Sequence, residues 1–170
     1  IHRGARSVAI GRLSGTTSQG VDSVAIGNGA GSTSQGANNI AIGINSGGAT
    51  QGASSVAVGA GAGRFTQGSS AVAVGTNAGG GVLSTTFQGN GAVAIGTNAG
   101  QGTTTGQGAN AIAIGLNAGV ASQTAGSICL NASGSALNPN QAGCFIKPIR
   151  AGVAAPTAAL GLPSGLLYYD

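Results

Sequence analysis

The sequence predicts an all-β solenoid of stacked parallel coils, and three observations support that prediction. A five-residue motif that alternates small and branched residues recurs along the 170 residues, first as Ser-Val-Ala-Ile-Gly at 7–11. A glutamine stands five residues before the first branched residue of each later copy. Glycine accounts for 35 residues, whereas charged residues make up only 5%. This composition fits neither an ordinary globular core nor a highly charged disordered chain.

The spacing of the motif gives the number of coils. Its first five copies are sixteen residues apart, two more lie at 92–96 and 111–115, and a degenerate eighth copy, SICLN, occupies 127–131. An internal repeat of fixed period is the signature of stacked repeat architectures. A collagen triple helix is excluded, because glycine does not recur at every third position. We therefore expect about eight coils.

Each copy of the motif predicts a short strand followed by a corner. Val8 and Ile10 alternate with Ala9, so two branched side chains point to one side of the strand and a methyl group to the other. The residue after each strand is glycine, replaced by Asn131 in the last copy, which indicates a left-handed backbone there. The position two residues further on is mostly glycine or asparagine, which predicts a second corner residue.

The branched residues are too few to stabilise an isolated rod. Each coil has only two sizeable aliphatic side chains. The free energy gained by burying them is small compared with the conformational entropy lost when a whole coil is ordered. If identical chains packed this face together around a symmetry axis, each chain would bury more apolar surface and gain stability. We expect fourteen aliphatic residues to form the coil core and the seam between chains: Val8, Ile10, Val24, Ile26, Ile40, Ile42, Val56, Val58, Val72, Val74, Val93, Ile95, Ile112 and Ile114.

The glutamine column allows two interpretations. Stacked glutamine side chains can hydrogen-bond to one another along a parallel array, or they can face outward and bind glycan hydroxyls. The ladder is favoured, because the spacing serves the fold without a ligand and because carbohydrate sites usually contain aromatic residues, of which the chain has few.

Several function classes are disfavoured by composition. The net charge of +4 comes from six scattered basic residues, which form no continuous stripe for nucleic acid. Residues 151–169 are uncharged, but two prolines and three glycines argue against a membrane span.

Catalysis and metal binding are disfavoured as well. The chain has one histidine, His2, and two carboxylates, Asp22 and Asp170, which are too far apart in sequence to form an acid–base pair in one coil. We expect no catalytic residue, no cofactor and no metal site. Cys129 and Cys144 show no metal-binding spacing, and they could either pair or remain thiols.

Two coils are longer than the others. The distance from the strand glycine to the glutamine is eight residues in regular coils, but thirteen from Gly75 to Gln88 and eleven from Gly96 to Gln107. We expect the extra residues to bulge outward as neighbouring loops, at 79–87 and 101–106. They are either harmless insertions or a recognition site. The candidate recognition residues are Val82, Leu83, Phe87, Thr103, Thr104 and Thr105.

The Ser-Val-Ala-Ile-Gly coils resemble the heads of trimeric autotransporter adhesins. This resemblance implies a left-handed parallel β-roll and a homotrimer whose aliphatic residues face the trimer interior. It also implies that a bacterial adhesin head, at the bacterial outer surface, is one candidate function.

A second resemblance covers the repeats and the C-terminal part of the chain. The segment from ALNPN to KPIR at 136–150, followed by LLYYD, is similar to fibre-like repeat proteins of large DNA viruses that infect algae and other protists. It implies a repeat array at 1–131 and a C-terminal cap, a trimer-stabilising segment, at 132–170. The implied function is a non-enzymatic virion fibre or spike at the virion surface, with other virion proteins and a host surface glycan or receptor as partners.

An ice-binding solenoid is the third candidate function. Ice binding requires a flat and regular rank of threonines. The column before the glutamines is irregular, reading Ser18, Ser34, Thr50, Thr66, Phe87, Gly106 and Ser122. The sequence therefore argues against ice binding.

Overall fold

The computed structural model describes residues 2–81, 84 and 86–148, and every regular element among them is a β-strand. The strands are β1 (His2–Arg3), β2 (Val8–Ile10), β3 (Ser18–Gln19), β4 (Val24–Ile26), β5 (Ser34–Gln35), β6 (Ile40–Ile42), β7 (Thr50–Gln51), β8 (Val56–Val58), β9 (Thr66–Gln67), β10 (Val72–Val74), β11 (Phe87–Gln88), β12 (Val93–Ile95), β13 (Gly106–Gln107), β14 (Ile112–Gly115), β15 (Ser122–Gln123), β16 (Ile128–Asn131) and β17 (Cys144–Lys147). The prediction of an all-β parallel solenoid is confirmed.

The strands form two parallel sheets, and each regular coil contributes one strand to each sheet. Sheet A contains the odd-numbered strands from β1 to β15, and sheet B contains the even-numbered strands from β2 to β16 together with β17. Equivalent motif positions pair directly, as Val8 does with Val24 and Gln19 with Gln35. The sequence repeat is therefore also the register of the sheets.

The solenoid has about nine turns, one more than the eight predicted. Strand β17 pairs in parallel with β16, so that Ile128 lies opposite Cys144 and Asn131 opposite Lys147. The segment GCFIK at 143–147 is thus a further copy of the motif at the same sixteen-residue spacing. It lies within the predicted cap at 132–170, of which residues 149–170 are outside the described residues.

Alanine, and not valine or isoleucine, lines the inside of the coil. Ala25, Ala41 and Ala57, each at the centre of a strand of sheet B, have no exposed surface, and Cys129 takes the equivalent place in β16. The branched residues on either side point outward; Ile10 is 58% exposed and Ile42 is 37% exposed in the single chain. The prediction that the fourteen aliphatic residues fill the coil core is therefore wrong, whereas their place in a seam between chains stays a prediction.

The narrow cross-section of the coil explains this inversion. Glutamine side chains extend inward from sheet A and reach the backbone of sheet B, as Gln51 does in its hydrogen bond to the carbonyl oxygen of Ile40. Beside a side chain of that length, the inward side of each sheet B strand has room for a methyl group. Close packing of protein interiors then favours alanine.

The corners combine left-handed backbone with close stacking. The glycines after the strands have φ between 107° and 127°, and a Cβ on Gly27 would lie 2.6 Å from the carbonyl oxygen of Gly43 in the next coil. Asn131 does not adopt the left-handed backbone predicted for it; it is the last residue of β16 and pairs with Lys147. The predicted second corner column is confirmed, and even Leu13 has a φ of 58° there.

Candidate functional site

The outward side of sheet B forms a continuous apolar surface, which we call the outer aliphatic face. It consists of the fourteen predicted aliphatic residues together with Ile128, Leu130, Cys144 and Ile146, the outward positions of β16 and β17. Nine strands at a spacing of about 4.8 Å make this face roughly 40 Å long. An exposed apolar patch of such extent marks an interaction surface.

The C-terminal end of the outer aliphatic face contains a shallow depression. Its volume is about 310 Å³, and its walls include Ile114, Leu130, Ile146 and Pro148. Lys147 also borders it and donates a hydrogen bond of 2.6 Å from its Nζ to the Oγ of Ser135. The depression is therefore a part of the apolar face with one cation at its rim.

The buried glutamines connect the two sheets across the coil interior. In each coil from Gln19 to Gln123 the Nε2 donates to the carbonyl oxygen of the first residue of the preceding sheet B strand, at 2.7–3.0 Å. All seven side chains are at most 3% exposed. An outward glycan-binding role for this column is therefore wrong.

The glutamines also form the predicted ladder. Nε2 donates to Oε1 of the next coil from Gln35 to Gln51, from Gln51 to Gln67, from Gln88 to Gln107 and from Gln107 to Gln123, at 3.0–3.3 Å. The Oε1 of Gln88 has no hydrogen-bond partner within the described residues. The Oε1 of Gln35 has no partner there either, so the ladder is interrupted between Gln19 and Gln35 as well as at the coil that carries the five-residue insertion.

A glycine column makes room for the glutamine amides. A Cβ on Gly47 would lie 2.7 Å from Oε1 of Gln51, and a Cβ on Gly100 would lie 2.6 Å from Oε1 of Gln107. Both glycines also have a positive φ, 51° and 55°. The constant glycine four residues after the strand glycine is therefore required by space as well as by conformation.

The long coils keep the register of both sheets. Val93 pairs with Val72 and Phe87 pairs with Thr66, although each pair is separated by more than the regular sixteen residues. The insertions are therefore accommodated outside the ladders, as predicted.

The predicted recognition residues fall into three groups. Val82 and Leu83 lie outside the described residues. Thr103, Thr104 and Thr105 are exposed, and the backbone N–H and the hydroxyl of Thr103 donate to the carbonyl oxygen of Ala121. Phe87 was predicted in a loop, but it belongs to β11, because its backbone pairs with Thr66 and Gly106.

The titratable groups are few and separated. Arg6 and Asp22 form an exposed two-pronged ion pair with N–O distances of 2.5 and 2.6 Å, and the hydrogen bond from Arg6 lowers the pKa of Asp22. Burial raises the pKa of Cys129, whose Sγ donates to the carbonyl oxygen of Leu137.

The two cysteines are free thiols on opposite sides of sheet B. Cys129 is buried inside the coil, whereas Cys144 is exposed on the outer face. This placement follows from the register, since Cys129 pairs with Phe145 and Cys144 with Ile128. Across the residues that the structure describes, no group of three or more histidine, cysteine or acidic side chains lies close enough to hold a metal ion.

No protein-family model, no curated protein and no solved structure matches this chain. In the described part of the chain no helix has the length and apolar character needed to cross a membrane. The repeat geometry and the outer aliphatic face are therefore the observations on which a function can be proposed.

Proposed function

We propose that the chain is a non-enzymatic structural segment of a virion fibre or spike that assembles as a homotrimer through the outer aliphatic face. The supporting observation is that face itself, a continuous apolar surface on the outside of an otherwise small-residue coil. Burial of branched side chains contributes about 25 cal/mol for each Å² removed from water. Closed cyclic association would bury the face equally in every chain.

The position at the virion surface and the left-handed sense of the coil are parts of the proposal that derive from the resemblances. The segment at 136–150 favours a viral fibre, with other virion proteins and a host surface receptor or glycan as partners. The Ser-Val-Ala-Ile-Gly motif alone also fits a bacterial trimeric adhesin head. Mass spectrometry of purified virions, with bacterial outer-membrane fractions as the comparison, separates the two.

Sedimentation analysis of the purified chain tests the assembly. We expect a mass three times that of the 15.7 kDa chain. Ile42→Asp places a charge on the outer aliphatic face and should give a monomer that retains its β-type circular dichroism, because Ile42 lies outside the coil. Ser34→Asp, on the exposed side of sheet A, is the matched control and should remain trimeric. A parent chain that is monomeric at micromolar concentration would contradict the proposal.

A further inference from the structure

Strand β17 is the last strand of sheet B among the described residues, so one of its two edges faces no described strand. The carbonyl oxygen of Gly143, directly before β17, accepts a hydrogen bond of 2.8 Å from the backbone N–H of Ile128 in β16. Because the peptide groups of a strand alternate between its two edges, Cys144 and Ile146 direct their backbone N–H and carbonyl groups away from β16. An edge of this kind is a template for a further strand.

The earlier strands of sheet B show what such an edge binds. The first residue of every even-numbered strand from β2 to β16 donates its backbone N–H to the carbonyl oxygen of the residue just before the next strand, at 2.8–3.0 Å, as Val24 does to Asn39. Cys144 holds the equivalent position in β17. A strand that continued the series would therefore supply the acceptor for the N–H of Cys144.

The end of the coil interior is apolar and only partly covered. Phe145 holds the inward position of β17, opposite Cys129, and is half-buried. Cys129 and Ala113, the inward residues of the two preceding sheet B strands, have no exposed surface. Solenoids cover such ends with a terminal coil. Because the ring of Phe145 is much larger than a methyl group, close packing requires that a small residue stack on it.

The period of the repeat selects one segment of the chain for this place. Twelve residues separate β16 from β17, and twelve separate β17 from the Leu-Gly-Leu sequence at 160–162. These residues lie outside the described part of the chain. In this register Gly161 would meet the ring of Phe145, and Leu160 and Leu162 would continue the two outward columns of the outer aliphatic face.

The residues around this segment are consistent with a short edge strand. Residues 151–169 carry no charge, so pairing would bury no ionised group. Pro163 follows the segment and has no N–H, so it lacks the donor with which Gly27 binds the carbonyl oxygen of Ile10 at the same step, at 2.8 Å. Proline is found on edge strands and where pairing ends. The strand would thus end at Leu162.

We infer that the open edge of β17 is an interaction surface that binds residues 160–162 of the same chain as a tenth strand of sheet B. The backbone N–H groups of Cys144 and Ile146 donate to this segment, and Gly161 packs against the ring of Phe145. The bound segment closes the end of the coil interior and removes a free edge that would otherwise pair with other chains. The inference requires neither a trimer nor a virion, because it concerns the edge of a single coil stack.

Hydrogen exchange of the whole chain, followed by NMR, tests the pairing. We expect the amides of Cys144 and Ile146 to exchange at least about tenfold more slowly than unpaired amides. Gly161→Pro removes the N–H at the centre of the segment, so both amides should lose this protection. The amides of Ile112 and Ile128 donate to described residues, and their continued protection would show that the rest of the solenoid is folded.

Gly165→Pro is the matched control, because it makes the same change outside residues 160–162 and should leave both amides protected. Gly161→Leu is a second test of the register. It places a large side chain against the ring of Phe145, so it should also release the edge. Adding Phe145→Ala to this variant makes room for the leucine and should restore the protection.

Fast exchange at Cys144 and Ile146 in the parent chain, or protection that Gly161→Pro does not reduce, would overturn the inference. Release of the edge by Gly165→Pro would assign it to another segment and would overturn the inference as well. Protection that appears only as the protein concentration rises would show that a second copy covers the edge.

The monomeric Ile42→Asp chain separates this inference from the proposed trimer. We expect the amides of Cys144 and Ile146 to remain protected in it, because the segment belongs to the same chain. Loss of their protection in this monomer would show that a neighbouring chain supplies the strand and would overturn the inference. A parent chain that is monomeric but protected at both amides would contradict only the trimer.

Discussion

At the scale of single residues, the buried glutamine does the most to define this fold. Gln51 donates to the carbonyl oxygen of Ile40 in sheet B at 3.0 Å and to Gln67 in the next coil at 3.1 Å, and it accepts from Gln35 at 3.3 Å. The same amide therefore connects the two sheets and three successive coils. Polar groups buried in this way are costly when a partner is removed.

Replacing Gln51 with leucine tests this connection. The variant keeps the size of the side chain but removes the donor to the Ile40 carbonyl and to Oε1 of Gln67, and it removes one of the two acceptors of the Gln35 amide. The free energy of unfolding should therefore fall by about 2–4 kcal/mol. Gln19→Leu is the control, because Gln19 accepts no hydrogen bond within the described residues and its loss should cost less. Equal losses in urea denaturation would contradict a ladder that contributes to stability.

A second residue-scale prediction concerns Cys129. Burial raises its pKa above the usual value of 9.0, so its stabilising contribution is complete below pH 9.0 and is lost as the pH rises through the raised value. The parent should therefore lose more stability in alkaline solution than Cys129→Ala, which has the alanine found at the same position in Ala113. Melting temperatures of both chains from pH 7 to 11 measure the difference, and parallel curves would refute it.

At the scale of the strand, the two sides of each sheet B element have different tasks. In β6, Ala41 is fully buried between the sheets, whereas Ile40 and Ile42 lie on the outer aliphatic face. The alternation of side chains in a strand makes this division possible. The inner side of the strand has room only for a small side chain, whereas the outer side is free to pack against another chain.

Leucine at adjacent positions tests this division. Ala41→Leu should cost about 1–3 kcal/mol or more, because extra methylene groups overpack the narrow interior. Ile42→Leu, on the outer side, should change the free energy of unfolding by less than about 1 kcal/mol. Equal effects in chemical denaturation would contradict the assignment of alanine to the interior.

The loop at 101–105 allows a prediction at the same scale. Deleting Thr103, Thr104 and Thr105 restores the regular eight-residue distance between Gly96 and Gln107. Because loop length has only a weak effect on stability and the flanking strands already pair in register, the melting temperature should stay within a few degrees. A large decrease would show that the hydrogen bonds from Thr103 to Ala121 are structurally required.

At the scale of the whole molecule, the rod depends little on ionic interactions. The described residues contain one salt bridge, between Arg6 and Asp22, and both side chains are exposed. The pKa of Asp22 lies below the usual 3.8, so the contribution of this pair is present above that value and is lost as the pH falls through the lowered pKa. Exposed pairs contribute little to stability.

We therefore expect stability to be nearly independent of pH in mildly acidic solution. Between about pH 5 and pH 8 the melting temperature should be flat, since the chain has two acidic residues and one histidine. Asp22→Asn should remove only the small decrease that we expect below pH 4. A cooperative acid transition that persists in this variant would show that another titrating group stabilises the fold.

The repeat in the sequence determined the parallel stacking, the strand positions and most of the corners, because each depends on a local pattern of glycine, asparagine and branched residues. The corner at the Gln-Gly step that leads to the next strand was also predicted, but not the left-handed backbone of Arg6, Asp22 and Asn38 within it, where φ is 55–59° without glycine. It also missed the ninth copy at β17, whose residues depart from the consensus.

Only the tertiary structure decided which side of each strand faces inward. Alternation divides Val8 and Ile10 from Ala9, but it does not say which side is enclosed. That choice depends on the width of the coil, which the glutamine side chain spans from sheet A to sheet B. The tertiary structure also placed Phe87 in a strand, where it pairs with Thr66 and Gly106. Pairing with the neighbouring coils determines at which residue the inserted segment ends and the strand begins.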